Sequence, residues 1–188
     1  MGLRVSFDLE DDDLNHFRLI MRESRKAAAK SSPEDIIEGA SSLLEQVGNA
    51  SVPMFIKERL QKLDLMIRML SDAEWRLPAK ESARVLNALA YFREPEDLIP
   101  DHIPGLGFLD DAIMIELVVR ELRHEIEAYA DFCEYRQRKA PAAGKNDKSA
   151  EATREEWLAA RRKELQSRMR RRRKRNDQSP AARSPRVL

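Results

Sequence analysis

Four aspartates, Asp97, Asp101, Asp110 and Asp111, fall within fifteen residues of this sequence. Hard divalent cations prefer carboxylate oxygens, so such a cluster could ligate Mg2+ or Mn2+ for phosphoryl chemistry, with a following helix N-terminus holding a phosphate. The plainer chemistry is structural. Aspartates accept hydrogen bonds from backbone N–H groups that turns and helix starts leave open, and they pair with arginines such as Arg84, Arg93 or Arg120. The sequence favours that plainer chemistry, because neither a paired-histidine motif nor a glycine-rich phosphate cradle accompanies the aspartates. His16, His102 and His124 are too scattered for a zinc site, and no Ser/His/Asp or Cys/His arrangement can be defended. His102 reads as a loop residue, and His124, beside Glu121, Glu125 and Glu127, as part of a charged helix face. No catalytic residue is assigned. The expectation is no cofactor, with Mg2+ or Mn2+ on the four aspartates as the alternative.

A second set of residues carries a different chemistry. Arg170, Arg171, Arg172, Arg173, Lys174 and Arg175 are six consecutive cations, and Arg161, Arg162, Lys163 and Arg168 precede them. Such a block attracts nucleic acid or anionic lipid, because each neutralised phosphate releases a counterion, but it has no geometry for reading bases. Trp157, Leu158, Leu165 and Met169 form a thin apolar stripe that could lie on a membrane surface, stack on bases or dock a helix. The plain alternative is a solubilising tail that folds back on an acidic body.

The elements that must position these residues are helical. Asp11 to Lys30 places Leu14, Phe17, Ile20, Met21 and Ala28 at three- and four-residue spacing. Ser32-Pro33-Glu34-Asp35 supplies an N-cap, a first-turn proline and acids at the positive dipole end of a second helix, which Gly48 stops. Pro53 opens a third through Leu70. A fourth is expected over 79–93 and a long fifth over 109–136. No convincing strand pattern appears beyond the short stretch from Arg4 to Asp8, and no repeat of fixed period is present. The expectation is an all-α bundle of four to six helices. Between the fourth and fifth helices, Pro95, Pro100, Pro104, Gly105 and Gly107 forbid a continuous helix, yet Leu98, Ile99, Ile103, Leu106, Phe108 and Leu109 need burial. This predicts an ordered connector pressed against the bundle.

The stretch from Asp97 to Asp111 resembles the signature of the YkvA-like family, a mostly bacterial helical domain of unknown function. Asp97, Leu98, Ile99, Pro100, Asp101, Ile103, Pro104, Gly107, Leu109, Asp110 and Asp111 carry the resemblance, which is strongest over about residues 80–130. It implies a small helical domain and brings no established activity. Some members place the domain beside transmembrane segments, which this sequence lacks.

Charge divides the chain. Residues 1–137 hold 17 Lys and Arg against 27 Asp and Glu, a net charge of −10, whereas residues 138–188 hold 17 against 6, a net charge of +11. The expected organisation is an acidic helical body over 1–137, a linker over 138–149 and a basic tail over 150–188, partly helical or disordered. A single cysteine, Cys133, excludes an intrachain disulfide and reads as a small buried apolar residue in a reducing compartment. The opening residues run straight into Glu10-Asp11-Asp12-Asp13, so export through a signal peptide is not expected. The most apolar segment, Ala112 to Val119, is interrupted by Glu116 and falls far short of the roughly 20 residues that span a bilayer. The expected location is the cytoplasm, with the inner membrane surface as an alternative. The leading expectation is a non-catalytic interaction protein. Its tail binds nucleic acid or an anionic surface, and its body binds a protein partner or a second copy of itself. The alternatives are a divalent-metal-dependent hydrolase of a phosphorylated substrate and a peripheral membrane adaptor.

Overall fold

The computed structural model describes residues 8–48, 52–93, 99, 103, 106–139 and 148–178. Among them lie seven α-helices: α1 (Asp11–Ala27), α2 (Pro33–Gly48), α3 (Met54–Ser71), α4 (Ala79–Leu89), α5 (Leu109–Glu121), α6 (Arg123–Lys139) and α7 (Lys148–Gln178). Single 3-10 turns follow α1 and α4, at Ala28–Lys30 and Ala90–Arg93. The described residues contain no strand, and the fold is all-α. The extended stretch read at Arg4 to Asp8 lies outside the described residues except for Asp8.

One expected helix is two. The stripe over 109–136 breaks at Leu122, which is fully buried, and the chain restarts as α6. Neither proline nor glycine marks the break, so packing sets it rather than local propensity.

The helices fall into two compact units. The first comprises Met1–Ile67 and Ala79–Val118, and the second Arg68–Pro78 and Val119–Leu188. The change of composition after residue 137 therefore falls inside the second unit.

In the first unit, caps and small residues set the geometry. Glu10 and Asp13 form a reciprocal capping box at the start of α1. Ser32 and Asp35 do the same for α2, the Ser32 hydroxyl accepting from Asp35 N at 3.1 Å and Asp35 Oδ2 accepting from Ser32 N at 3.1 Å. Hydrogen bonds from the Ser32 backbone N–H and then the Ser32 side chain hold the Asp35 carboxyl below its ordinary range. Ile36, Ala40, Leu43 and Val47 are the buried stripe of α2. At Gly39 the helix runs so close to the 90–93 turn that a Cβ would stand 2.4 Å from the Phe92 carbonyl oxygen and 2.5 Å from the Arg93 Cα. Only glycine fits there. The turn buries Ala90, Tyr91 and Phe92, whose two rings meet edge to face.

The second unit is built around Trp75, which is fully buried with its ring 5.7 Å from Tyr129 and 5.1 Å from Phe132. Asp72 shapes the turn that carries it: Oδ1 accepts from the backbone N–H groups of Glu74 at 2.9 Å and Trp75 at 3.0 Å. From α7, Leu158, Leu165 and Met169 complete the core, each no more than 1% exposed.

Candidate functional site

Of the four sequence-predicted metal ligands, Asp110 and Asp111 occupy the first turn of α5, where they are 2% and 3% exposed. Asp97 and Asp101, with Leu98, Pro100, His102 and Pro104, lie outside the described residues. Asp110 Oδ2 accepts a hydrogen bond from Ile99 N at 3.0 Å, tying the connector to the helix it leads into. That is the corner chemistry the plainer reading expects. Gly107 N donates to the Ile103 carbonyl at 2.9 Å and Leu109 N to the Leu106 carbonyl at 3.1 Å, closing a tight turn before α5. Phe108 sits in that turn at φ 66°, buried, and its carbonyl accepts from Ala112 N at 3.0 Å. A left-handed non-glycine residue costs about 1–3 kcal/mol, offset here by burial of the ring. The connector's apolar residues divide: Phe108 is buried, Ile99, Ile103 and Leu109 are half-buried, and Leu106 is 51% exposed. Leu106 therefore departs from the expected burial, because it occupies the outer corner of the turn. Among the described residues no three His, Cys, Asp or Glu side chains are grouped so as to hold a metal ion.

The basic segment is ordered as α7, a helix of 31 residues. Its inner side is clamped to the 72–76 turn. Glu74 accepts from Arg154 Nη1 at 2.7 Å and from Arg136 Nη1 at 2.9 Å, and the same Arg136 nitrogen reaches Asp72 Oδ2 at 2.8 Å. Tyr129 donates its hydroxyl to Asp72 Oδ2 at 2.9 Å. Arg162 donates to the Glu74 carbonyl at 2.6 Å, and Gln166 Nε2 to that of Trp75 at 3.0 Å. Burial raises the Asp72 carboxyl, but bonds from Trp75 N, Tyr129 and Arg136 outweigh it and leave the group below its ordinary range. Glu74 follows the same pattern, with burial outweighed by Arg154 and Arg136. Burial, followed by the hydrogen bonds to Asp72 and Cys133, pushes the Tyr129 hydroxyl well up. Cys133 is half-buried, with Arg136 Nη2 at 3.6 Å from its sulfur.

Further along, α7 meets the acidic side of α6. Arg168 pairs with Asp131, Arg172 with Glu127 at 3.1 Å and Arg173 with Glu125 at 2.8 Å. Glu125, expected on an open charged face, has a side chain only 1% exposed, because Arg173 covers it. His124 is half-buried, and its Nε2 lies 3.0 Å from Asn176 Nδ2. Arg161 pairs with Glu164 at 2.8 Å and stacks over Tyr135. Arg170 is engaged as well. Of the ten predicted polyanion contacts, Lys163, Arg171, Lys174 and Arg175 are exposed and form no ion pair with another described residue. Arg168, Arg171, Arg172, Lys174, Arg175 and Gln178 line an open groove of about 530 Å3 near the end of α7. The thin apolar stripe read on this segment docks inward through Leu158, Leu165 and Met169, while Trp157 stays 45% exposed.

Comparison with known proteins places the aspartate turn in context. The model of the family described as "Protein of unknown function (DUF1232)" matches residues 83–117, which run from α4 through the connector to α5. The "Uncharacterized membrane protein YkvA" of Bacillus subtilis (strain 168) is 34% identical over 79 residues, covering 39% of this chain and 73% of that protein. The chain belongs to this YkvA-like family. No solved structure matches it significantly.

Within this YkvA-like chain the family model covers Gly107, Asp110, Asp111 and the 90–93 turn, but not Gly39, which the turn requires to be small. Sequence reasoning missed Gly39; at 72–76 it reads Ser71-Asp72 and Pro78 as a break in the chain, but not the residues that the turn gathers. Spacing gave no hint of Gly39, since a lone glycine inside a helix pattern reads as a weak spot. Asp72-Ala73-Glu74-Trp75 did carry a turn signal in its leading aspartate, but nothing local links it to Arg154 or Gln166. No helix among the described residues is long and apolar enough to cross a membrane.

Proposed function

We propose that this YkvA-like protein is a non-catalytic interaction protein that binds phosphate-rich polyanions through the outer row of α7. The observation that carries the reading is the groove lined by Arg168, Arg171, Arg172, Lys174, Arg175 and Gln178, in which Arg171, Lys174 and Arg175 have no acidic partner among the described residues. Residues three, four and seven apart on a helix share one side, so these cations form a row rather than a scatter. Arginine predominates in it, and the planar guanidinium matches phosphate oxygens two at a time. A polyanion would be held by charge and not by sequence.

The test is fluorescence anisotropy of a labelled nucleic acid over a salt series, for the full chain and for the triple variant Arg171→Gln, Lys174→Gln, Arg175→Gln. All three side chains are exposed, so the variant keeps its fold. Removing three phosphate contacts weakens binding at least about 100-fold at low salt. Equal binding by the two proteins would sink the reading. Deleting residues 138–188 is the poorer test, because it also removes Leu158, Leu165 and Met169 from the core of the second unit.

A second reading, a divalent-metal-dependent hydrolase acting on a phosphorylated substrate, is favoured by one observation. Asp110 and Asp111 are adjacent, buried and inside the family-matched segment. It requires Mg2+ or Mn2+ to raise the melting temperature of the wild type and an Asp101→Asn plus Asp111→Asn variant to lose that rise. Identical melting with and without the metal removes it.

A further inference from the structure

We propose that Glu127 and Asp131 of α6 tune the strength and salt dependence of nucleic-acid binding by α7: by pairing with Arg172 and Arg168 they compete with phosphate for two cations of the row, so that those two arginines add no net counterion release. This rests on the polyanion reading above and adds the partner and the residues that tune it.

The arginines of α7 that pair with α6 differ in one respect. The Arg173–Glu125 pair is enclosed, with side chains 17% and 1% exposed, so it stays closed when a ligand arrives. The Arg172–Glu127 pair is 43% and 47% exposed, and the Arg168–Asp131 pair 33% and 42% exposed. Open pairs are weak and screened by salt, so phosphates can replace their carboxylates. Both arginines also line the groove with Arg171, Lys174 and Arg175. The row thus has three cations without an acidic partner among the described residues and two paired with α6.

The geometry favours a nucleic-acid strand over a bilayer. From Arg168 to Arg175 the helix rises about 10 Å, over which a duplex presents about six phosphates with both strands counted, enough for all five cations of the row. A membrane-surface helix needs an apolar face to enter the lipid. In α7 that face is spent on the core, with Leu158, Leu165 and Met169 no more than 1% exposed. No aromatic residue lines the groove, so the strand is held by its backbone and its bases are not read.

The test measures log Kobs against log salt for a labelled mixed-sequence DNA duplex with the full-length protein. With the three cations that have no acidic partner among the described residues the slope is about −2.7, an affinity loss of about 40-fold between about 50 and 200 mM salt. Glu127→Gln and Asp131→Asn each return one arginine to the row, which steepens the slope to about −3.6, an affinity loss of about 150-fold over the same range, and tightens binding at low salt. Glu134→Gln removes the same charge from α6, but its partner is Arg138, at 3.4 Å, outside the groove, so its slope stays that of the wild type. In an Arg172→Gln background, Glu127→Gln adds nothing. Unchanged slopes in the Glu127 and Asp131 variants, or the same steepening in Glu134→Gln, overturn the inference while leaving the polyanion reading intact. Binding only to vesicles containing anionic lipid, with none to the duplex, overturns the choice of nucleic acid. No binding to either by wild type or variants brings down the reading beneath it.

Discussion

In the first unit, α2 approaches the 90–93 turn so closely that a hydrogen atom must stand where every other residue has a Cβ, and the helices start on carboxylate and hydroxyl caps. In the second, two carboxylates at 72 and 74 gather Arg136, Arg154 and Tyr129, and a basic helix lies along acidic residues of another. The first unit depends on shape, the second on shape joined to charge. They should therefore respond differently to the same disturbance. Both tryptophans of the chain, Trp75 and Trp157, belong to the second unit, so tryptophan fluorescence follows that unit alone while circular dichroism follows both.

Phe132→Ala is the largest expected break in this comparison. Its ring is fully buried against Trp75, and truncating such a residue costs about 3–5 kcal/mol. The fluorescence melt should fall well below that of the wild type while the part of the dichroism signal from the first unit keeps its midpoint; a joint fall of both would mean that the units unfold as one. Next comes Gly39→Ala. An alanine in an open helix interior gains up to about 1 kcal/mol over glycine, but here the methyl meets backbone, and overpacking of this kind costs about 1–3 kcal/mol. Gly48→Ala, with nothing within 4 Å of its Cβ, is the control and should be close to neutral. If the two alanines behave alike in dichroism melts, the close approach is not what the first unit depends on.

Acid gives the smallest and most selective effect. Asp72 and Glu74 both titrate below their ordinary values of about 4 when folded, so their contribution is complete above that pH and is lost as pH falls through the depressed folded values. Fluorescence melts between about pH 6 and pH 3 should therefore drop by more than the dichroism signal of the first unit, whose depressed carboxyl, Asp35, is fully exposed, and Glu74→Gln should flatten that drop. A drop of equal size in the variant would remove Glu74 from the account.

What the sequence revealed follows the reach of each interaction. Capping acts over three residues, so Ser32-Pro33-Glu34-Asp35 was readable as a helix start, and Asp110 as a corner residue eleven positions from Ile99. The six consecutive cations were equally plain, but which of them pair with acids was not. Their partners Glu125, Glu127 and Asp131 stand 37 to 48 residues earlier, and no periodicity links a charge to one so distant. For the same reason the break at Leu122 and the covering of Glu125 emerged only with the packed chain. Cys133, read as buried, proved half-buried beside Arg136, because an arginine and a tyrosine share its surroundings.

The placement of Trp75 has a consequence for synthesis. The segment 68–78 is made early, yet the residues that cover it arrive much later: Tyr129 and Phe132, then Gln166, 91 positions further on. At about 5–20 residues per second, the Trp75 backbone carbonyl waits roughly 5–18 s for Gln166 while the first unit already has all its pieces by residue 118. During that interval the nascent chain carries a large apolar ring with the Asp72 and Glu74 carboxylates beside it, before Arg136 and Arg154, which pair with them in the folded chain, have been made.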